Sequence, residues 1–333
     1  MPANPIGRLQ VRGFHGPALK PGWSEPSTIL FASEFPPNEK AFSFALAQAL
    51  EFGADLIIFH VYDSSDLVTT QASGIGFHDL AAARAQKRRF EPLAQRADNL
   101  NIHCRIVVRP GLPAEQILAF MRTRKIDRVV MGTHSPGPIG KLLVGSVAEA
   151  VLRNSIVPVC IVGPNVVENS YRNIVTRKVL CDVSKQEASR LVANFGAELA
   201  ARHHASLILH QVIPPQERAK VLGDRTIDDI EAELPSLVPA KLKQKITVRT
   251  RVALGDPTAE LLYQGRAQQA NIIVLGACGA SHFASITRAG IVYTVLAYAH
   301  CPVITLSPIM LAQLGASENR VPLSEVNIIA GVF

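Results

Sequence analysis

The stretch "VVMGTHSPGPIGKLLVGSVAEAVLRNSIVPVCIV", Val129 to Val162, has the pattern of a strand, a loop, a helix and a second strand. The loop contains four glycines and no pair of carboxylates suited to general acid–base catalysis. Glycines let a backbone approach a ligand closely, and the helix that starts near Ser146 directs its free amides at the loop. This stretch therefore predicts an α/β fold with a phosphate-binding loop at the carboxyl end of a strand.

The helix that follows the loop has a second interpretation. Ser146 and Glu149 are spaced as a capping box, in which the two side chains bond the first amides of their own helix. A capping box would occupy those amides without any ligand. The pattern alone leaves both interpretations open.

The chain repeats itself. "IDRVVMG" (Ile126 to Gly132) recurs as "ANIIVLG" (Ala270 to Gly276), an offset of 144 positions that Gly111 and Gly255 share. "GADLIIFHVY" (53–62) matches "HASLILHQVI" (204–213) at an offset of 151 positions. The repeat predicts two copies of one domain with two flanking segments and a connection: an N-terminal arm 1–27, domains 28–163 and 172–308, a linker 164–171 and a C-terminal tail 309–333.

Each copy alternates short apolar strands with amphipathic helices, which predicts a doubly wound five-stranded parallel sheet. Asn38 is placed to cap the first helix, Gly53 to end it, and Pro113 to open a later one. The N-terminal arm shows no such pattern and is expected to be loose. Both copies end in apolar strands, and open apolar edges favour pairing. We therefore expect an internal pseudo-dimer in which residues 157–163 pair antiparallel with 301–307.

Composition narrows the functional classes. Apolar residues make up 48% of the chain and charged residues 18%, which is typical of buried sheets. The net charge is +7, but the basic residues are scattered, so no nucleic-acid partner is expected.

Five separated cysteines without a C-x-x-C pair predict a reducing cytoplasmic location and no metal site. The uncharged segment 289–317 is interrupted by Pro302 and Pro308, which predicts core elements and no membrane span.

The glycine loop carries a resemblance to a known family. Gly132, Ser135 and Gly145-Ser146 follow the spacing Gly-x2-Gly-x9-Gly-Ser/Thr, with Ser135 at the second glycine, and "VPVCIV" (157–162) supplies the final strand. With its repeat, the chain resembles tandem universal stress proteins. The resemblance implies a Rossmann-like fold of the adenine nucleotide alpha hydrolase type, and a pocket for ATP or a related adenine nucleotide with Mg²⁺. Carried over position by position, it assigns the cofactor site to Ala32, Glu34, Val61, Met131, Gly132, Ser135, Gly145, Ser146 and Val147.

The second copy departs further from this fingerprint. Gly276 and Gly279 are kept, but the third glycine comes one residue late, at Gly290, and Ile291 stands where the family has serine or threonine. Asp182 matches the aspartate that the family has at its first strand, as Glu34 does in the first copy. The resemblance thus implies a weaker second site made of Asp182, Gly276, Gly279 and Gly290, which has lost its phosphate end.

By this resemblance, the chain is expected to be a stress-response regulatory protein without catalytic residues. Its expected partners are the nucleotide, a regulatory protein of unknown identity and a second copy of the chain. Two alternatives stay open at this point. One is an interaction module whose pockets hold no nucleotide, and the other is a slow ATPase.

Overall fold

A computed structural model of the 333-residue chain describes residues 23–62, 75–133, 145–167, 177–184, 186–276, 290–310 and 312–313. Ten strands form one sheet in the order β3-β2-β1-β4-β5-β10-β9-β6-β7-β8. The strands of the first copy are β1 (Thr28–Ala32), β2 (Asp55–Tyr62), β3 (Cys104–Pro110), β4 (Arg128–Gly132) and β5 (Val159–Val162). Those of the second copy are β6 (Lys178–Asp182), β7 (Ser206–Ile213), β8 (Val248–Leu254), β9 (Ile272–Gly276) and β10 (Val303–Leu306).

The helices of the first copy begin and end where local chemistry predicts. They are α1 (Glu39–Phe52), α2 (Ile75–Asp98), α3 (Pro113–Thr123) and α4 (Ser146–Asn154). The Asn38 side chain accepts a hydrogen bond from the Ala41 amide at 3.0 Å and so caps α1. Gly53 ends that helix in the left-handed region, at φ 61°, where glycine carries no steric penalty.

The second copy departs from the first in the connection between β7 and β8. Its helices are α5 (Gln186–Arg202), α6 (Arg218–Leu222), α7 (Ile227–Glu233), α8 (Ala240–Lys243), α9 (Pro257–Ala267) and α10 (Ile291–Tyr298). Where the first copy has the single long helix α2, the second has three short helices and two 3₁₀ turns, Pro215–Glu217 and Leu234–Leu237. The short elements begin or end at Pro215, Gly223 and Pro239, residues that disfavour the interior of a helix.

Helices cover both faces of the sheet. The side chains of α1, α2, α5 and the β7–β8 connection share one apolar cluster, and those of α3, α4, α9 and α10 share the other. Each copy is therefore a doubly wound parallel sheet of five strands, as predicted. None of the helices in the described ranges is long and apolar enough to cross a membrane.

The two copies join through their last strands. β10 pairs antiparallel with β5, with Val303 opposite Ile161, Ile304 opposite Cys160 and Thr305 opposite Val159. This confirms the predicted pseudo-dimer contact. The Thr305 hydroxyl adds a bond to the Val159 carbonyl at 3.2 Å. The two five-stranded sheets thereby become one continuous sheet.

The end of the N-terminal arm is anchored, so the expectation of a loose arm is wrong for residues 23–27. Trp23 is only 2% exposed, and its carbonyl accepts a bond from the buried Arg128 guanidinium at 2.9 Å. The Ser24 hydroxyl donates to Glu198 on α5 at 2.7 Å. The arm thus runs from the first copy onto a helix of the second. A lone tryptophan outside any periodic pattern gives no sequence signal of this.

The start of the predicted linker is also held in place. Lys40 donates to the carbonyl of Pro164 at 2.7 Å, and Asn165 donates to the carbonyl of Ala297 on α10 at 2.9 Å. A Cβ atom on Gly163 would overlap the carbonyl oxygen of Leu296, so only glycine permits this approach. Residues 164–167 therefore belong to the contact between the two copies.

We predict that Trp23→Ala destabilises the chain by about 3–5 kcal/mol, because it empties a buried aromatic site. The measurement is the free energy of unfolding from urea titration. Tyr263→Ala is the control, since Tyr263 is 63% exposed and its removal should change stability by less than about 0.5 kcal/mol. Equal effects of the two changes would show that the arm does not contribute to the fold.

Candidate functional site

A cavity of about 430 Å³ opens at the carboxyl ends of β1, β2 and β4 in the first copy. This is the edge of a doubly wound sheet at which ligands bind, because the loops there diverge to either side. Helices α3 and α4 close its sides. The lining residues are Ala32, Ser33, Glu34, Asn38, Phe59, Val61, Pro113, Ile117, Met131, Gly132, Thr133, Gly145, Ser146, Val147 and Ala148.

The structure brings together most of the residues that the sequence assigned to this site. Ala32, Glu34, Val61, Met131, Gly132, Gly145, Ser146 and Val147 all line the cavity. Ser135 lies outside the described residues. The sequence interpretation missed Phe59, Ile117 and Thr133. Phe59 precedes Val61 by two positions on the same strand, so strand alternation places it on the same face and could have identified it.

Gly132 has a structural explanation that the sequence did not reveal. A Cβ atom at Gly132 would overlap the side chain of Asn38, the residue that caps α1. Asn38 also donates to the carbonyl of Thr133 at 3.4 Å, just beyond the end of β4. Glycine is therefore needed here so that the α1 cap can reach the strand end. Its first role is to hold the cavity wall in place.

The start of α4 corrects the capping-box interpretation. Gly145 is the N-cap residue and Ser146 the first helical residue, and no side chain in the described part of the chain caps the helix. Glu149 instead pairs with Arg153 at 2.9 Å, one turn further along. The first amides of α4 thus face the cavity together with the positive end of the helix dipole. A Cβ atom at Gly145 would meet no atom within 4 Å, so there is room for a ligand beside the amides.

Polar groups near the cavity include one buried hydroxyl that has no partner among the described residues. Thr133 is only 6% exposed, and among the described residues its hydroxyl oxygen has no hydrogen-bond partner. Buried hydroxyls without a partner are costly, and a ligand or water commonly supplies the bond. Glu34 is exposed at the cavity entrance. The walls formed by Phe59, Val61 and Met131 are apolar, so the cavity combines a flat apolar region with a polar end.

The sheet register shows that Asp182 and Glu34 are not equivalent. The Ser33 amide bonds the Phe59 carbonyl at 3.0 Å, and the Val183 amide bonds the His210 carbonyl at 2.9 Å. Val183 therefore corresponds to Ser33, and Asp182 corresponds to Ala32. Matching both acidic residues to one position was wrong.

The remaining residues of the weaker second site are only partly described. The Asp182 carboxylate accepts bonds from the amide and hydroxyl of Ser184, within its own turn. Gly276 ends β9, and Gly290 is the N-cap of α10, as Gly145 is of α4. Gly279 lies outside the described residues. The late glycine therefore still occupies the cap position, and the helix begins with Ile291.

Two positions that hold aromatic side chains in the first copy hold polar side chains in the second copy. His210 takes the place of Phe59, and Gln264 that of Phe120, whose ring packs 4.8 Å from that of Phe59. His210 is fully buried, and neither ring nitrogen has a hydrogen-bond partner among the described residues. Burial, aided by the charge of Arg251, lowers the pKa of His210 to about 4. The imidazole is therefore neutral at neutral pH.

Metal-ligating side chains are dispersed in the parts of the chain that the structure covers. No three His, Cys, Asp or Glu residues there are grouped closely enough to hold a metal ion. Any metal at the first-copy cavity would depend on a ligand for most of its coordination.

The parallel sheet, the cavity at its carboxyl edge and the helix that starts at Gly145 define a doubly wound α/β protein with an open cavity at the sheet edge. A sequence profile of the universal stress protein family matches residues 27–163 and 176–307. The chain belongs to this family and carries two universal stress protein domains.

Individual relatives agree with this assignment. The chain is 33% identical over 144 residues to a universal stress protein of Thermus aquaticus, covering 40% of this chain and 97% of that protein. It is 30% identical over 120 residues to Methanocaldococcus jannaschii MJ0531, also a universal stress protein, covering 35% of this chain and 70% of the relative. Each match corresponds to about one domain.

A solved structure matches both domains at once. The crystal structure of a universal stress protein from Archaeoglobus fulgidus aligns with 85% of this chain and 98% of its own, with a TM-score of 0.62 and 16% identity. This likeness shows the fold.

We predict that His210→Phe removes part of the acid sensitivity of the protein. Because the pKa of His210 is about 4 when folded and ordinarily 6.5, unfolding takes up a proton between these values, and stability falls as the pH is lowered through them. This loss of unfolding free energy amounts to at most about 3 kcal/mol.

The measurement is the free energy of unfolding across this pH range for the wild type and the variant. His204→Asn is the control, since the His204 side chain is exposed and its replacement should leave the pH profile unchanged. Identical profiles for wild type and His210→Phe would contradict the assignment of a buried neutral imidazole.

Proposed function

We propose that this universal stress protein is a regulatory protein that binds ATP or a related adenine nucleotide in its first domain. The observation that carries the proposal is the start of α4, where the N-cap residue Gly145 makes no side-chain cap bond, beside a cavity of about 430 Å³ at the carboxyl edge of the sheet. Anionic groups bind such helix starts because the amides donate and the dipole is positive there. Family membership makes an adenine nucleotide the first ligand to test.

The lining residues divide the cavity between the two ends of a nucleotide. We assign the adenine ring to the apolar walls formed by Phe59, Val61 and Met131. The phosphates would lie at Gly145, Ser146 and Val147, where backbone amides and the Ser146 hydroxyl can donate. Glu34, at the entrance, is the lining carboxylate and would accept bonds from ribose hydroxyls. Ala32 and Gly132 line the floor between these ends, and Ser135 stays a predicted phosphate contact.

A Mg²⁺ ion would enter with the nucleotide. Mg²⁺ is commonly bound through phosphate oxygens, retained waters and one or two carboxylates. Here the phosphates and retained waters would supply those ligands, and the ion would neutralise part of the phosphate charge.

The second domain is proposed not to bind the nucleotide tightly. Ile291 begins α10 where Ser146 begins α4, and it offers no hydroxyl to a phosphate. The buried His210 and Gln264 replace the aromatic pair Phe59 and Phe120. The lost aromatic surface would weaken adenine binding, because a base gains from stacking on a flat apolar wall.

Regulation through binding is favoured over turnover. Hydrolysis would need a positioned base within about 3 Å of an attacking water. Glu34 lines the cavity but lies at its exposed entrance, the end that we assign to the ribose.

The four described free cysteines, Cys104, Cys160, Cys181 and Cys301, fit the proposed cytoplasmic location, where thiols stay reduced.

We predict that Gly145→Val lowers the affinity for ATP by at least about tenfold, because the branched side chain covers the amides that would hold the phosphates. Isothermal titration calorimetry with ATP and Mg²⁺ measures it. The matched control is Gly290→Val, the same change at the start of α10, which should keep the affinity within about twofold of wild type.

The stoichiometry provides a second readout, with one nucleotide expected per chain. Full affinity in Gly145→Val, or a loss only in Gly290→Val, would overturn the first-domain assignment. Release of inorganic phosphate in the same samples would replace the regulatory proposal with a slow ATPase. An absence of binding by any adenine nucleotide would favour the interaction module.

A further inference from the structure

Both walls at the end of the first-domain cavity that we assign to phosphates lead directly to the joint between the domains. One wall is the end of β4, Gly132 and Thr133, and the Thr133 amide donates to the Val162 carbonyl of β5 at 3.1 Å. The other wall is the first turn of α4, the helix that precedes β5. Because β5 pairs with β10, the position of each wall depends on how the second domain is seated.

Gly163 brings the second domain next to the first wall. Its backbone packs so closely on the Leu296 carbonyl of α10 that a Cβ atom would overlap the carbonyl oxygen. The same Cβ position lies 3.9 Å from the Thr133 hydroxyl oxygen. Since Thr133 lines the cavity, a backbone carbonyl of the second domain, Gly163 and the cavity wall are in consecutive contact.

The residues after Gly163 hold this contact in place. The Val167 amide donates to the His300 carbonyl at 3.0 Å, and the Asn165 side chain donates to the Ala297 carbonyl at 2.9 Å. Both acceptors lie at or just beyond the C-terminal end of α10, where helix carbonyls lack partners within the helix. The first domain therefore holds the end of α10 by directed bonds.

A hydroxyl of the second domain holds the far end of α4. Ser155 directly follows that helix, and its carbonyl accepts a hydrogen bond from Ser307, which directly follows β10. Ser155 is 0% exposed and Ser307 1%, so water does not compete for this bond. Because α4 has only nine residues, a movement at its C-terminal end displaces the amides at its start.

The side of α4 also touches the second domain. Tyr293 on α10 is 6% exposed and lies beside Glu149 and Arg153, the ion pair on α4. Burial, aided by the neighbouring Glu149 carboxylate, raises the pKa of Tyr293 to about 12. The helix whose first amides face the cavity is thus in contact with the second domain both along its side and at its end.

We propose, on the basis of the nucleotide function proposed above, that the second domain positions the phosphate end of the first-domain cavity. Leu296 and Ser307 are positioning residues, because they act on the site through Gly163 and Ser155. Amides hold a phosphate only within a narrow range of distances and angles. A wall displaced by the second domain would therefore bind phosphate more weakly.

The adenine end of the cavity lies further from the joint. Phe59 and Val61 are on β2, which β1 and β4 separate from β5. A change at the joint should therefore affect the phosphates of a bound nucleotide and leave its adenosine portion in place. Adenosine, which has no phosphate, distinguishes positioning of the phosphate end from a general loosening of the domain.

Isothermal titration calorimetry of the full chain with ATP and Mg²⁺, and separately with adenosine, tests the proposal. Gly163→Ala should weaken ATP binding by at least about fivefold, because the added methyl displaces the Leu296 carbonyl from its seat. The adenosine affinity should stay within about twofold of wild type. Gly196→Ala is the matched control, since a Cβ atom there would overlap the Cys181 sulfur in the core of the second domain. It should leave both affinities unchanged.

A second variant adds no atoms and so avoids a steric effect on folding. Ser307→Ala removes the bond to the Ser155 carbonyl and should weaken ATP binding by at least about threefold, again without a loss for adenosine. Thr305→Val is its control, because it removes the hydroxyl bond to the Val159 carbonyl at the same joint without touching α4. It should keep the wild-type affinity for ATP.

The outcomes separate this proposal from the nucleotide function itself. Wild-type ATP affinity in both Gly163→Ala and Ser307→Ala would reject the positioning role alone. Equal losses of ATP and adenosine affinity, or equal losses in the two control variants, would also reject it, because they indicate general destabilisation. Absence of nucleotide binding by the wild-type chain would reject the proposed function and the positioning role with it.

Discussion

The antiparallel pairing of β5 with β10 is the constraint on which the rest of the structure depends. Both strands are buried along their full length, and each would otherwise end its sheet with an open apolar edge. Unpaired backbone groups on a buried edge are costly, and such edges attract other chains. Pairing the two strands gives hydrogen-bond partners to the backbone groups at the edges of both sheets at once. The join is reinforced by the bond from Ser24 to Glu198 on α5 and by the buried contact of Glu51 on α1 with the imidazole of His203, which directly follows α5.

A shared sheet allows the two domains to diverge at their sites without losing the fold. The sheet and the helix starts are kept, as at Gly145 and Gly290. The surroundings of the sheet edge differ, since His210 replaces Phe59. The short elements between β7 and β8 replace α2, the helix that carries Phe90. We interpret the repeat as one scaffold whose two copies differ in the side chains and connections around the sheet edge.

Much of the fold is predictable from local patterns, because those patterns have local causes. Asn38, Gly53 and Pro113 act on their own helices, and the 144-residue offset places equivalent strands together. The failures involve contacts between distant segments. Trp23 is held by Arg128 and Ser24 by Glu198 on α5, which no periodic pattern near residue 23 reveals. The helix start at Ser146 was ambiguous because Ser and Glu at this spacing suit either a cap or a ligand site, and the Arg153 pairing of Glu149 decides it. Equating Asp182 with Glu34 failed because two acidic residues near strand ends look alike until the sheet register is known.

Amide hydrogen exchange under native conditions tests the joining of the domains most directly. Because the two domains share one continuous sheet, we predict that the amides of Val159–Val162 and Val303–Leu306 exchange as slowly as those of β1 and β9, through the same global unfolding reaction. Both halves would then lose protection together as denaturant is added. Exchange of the β5 and β10 amides at rates typical of loops, while β1 and β9 stay protected, would contradict it and show two domains that fold and open independently.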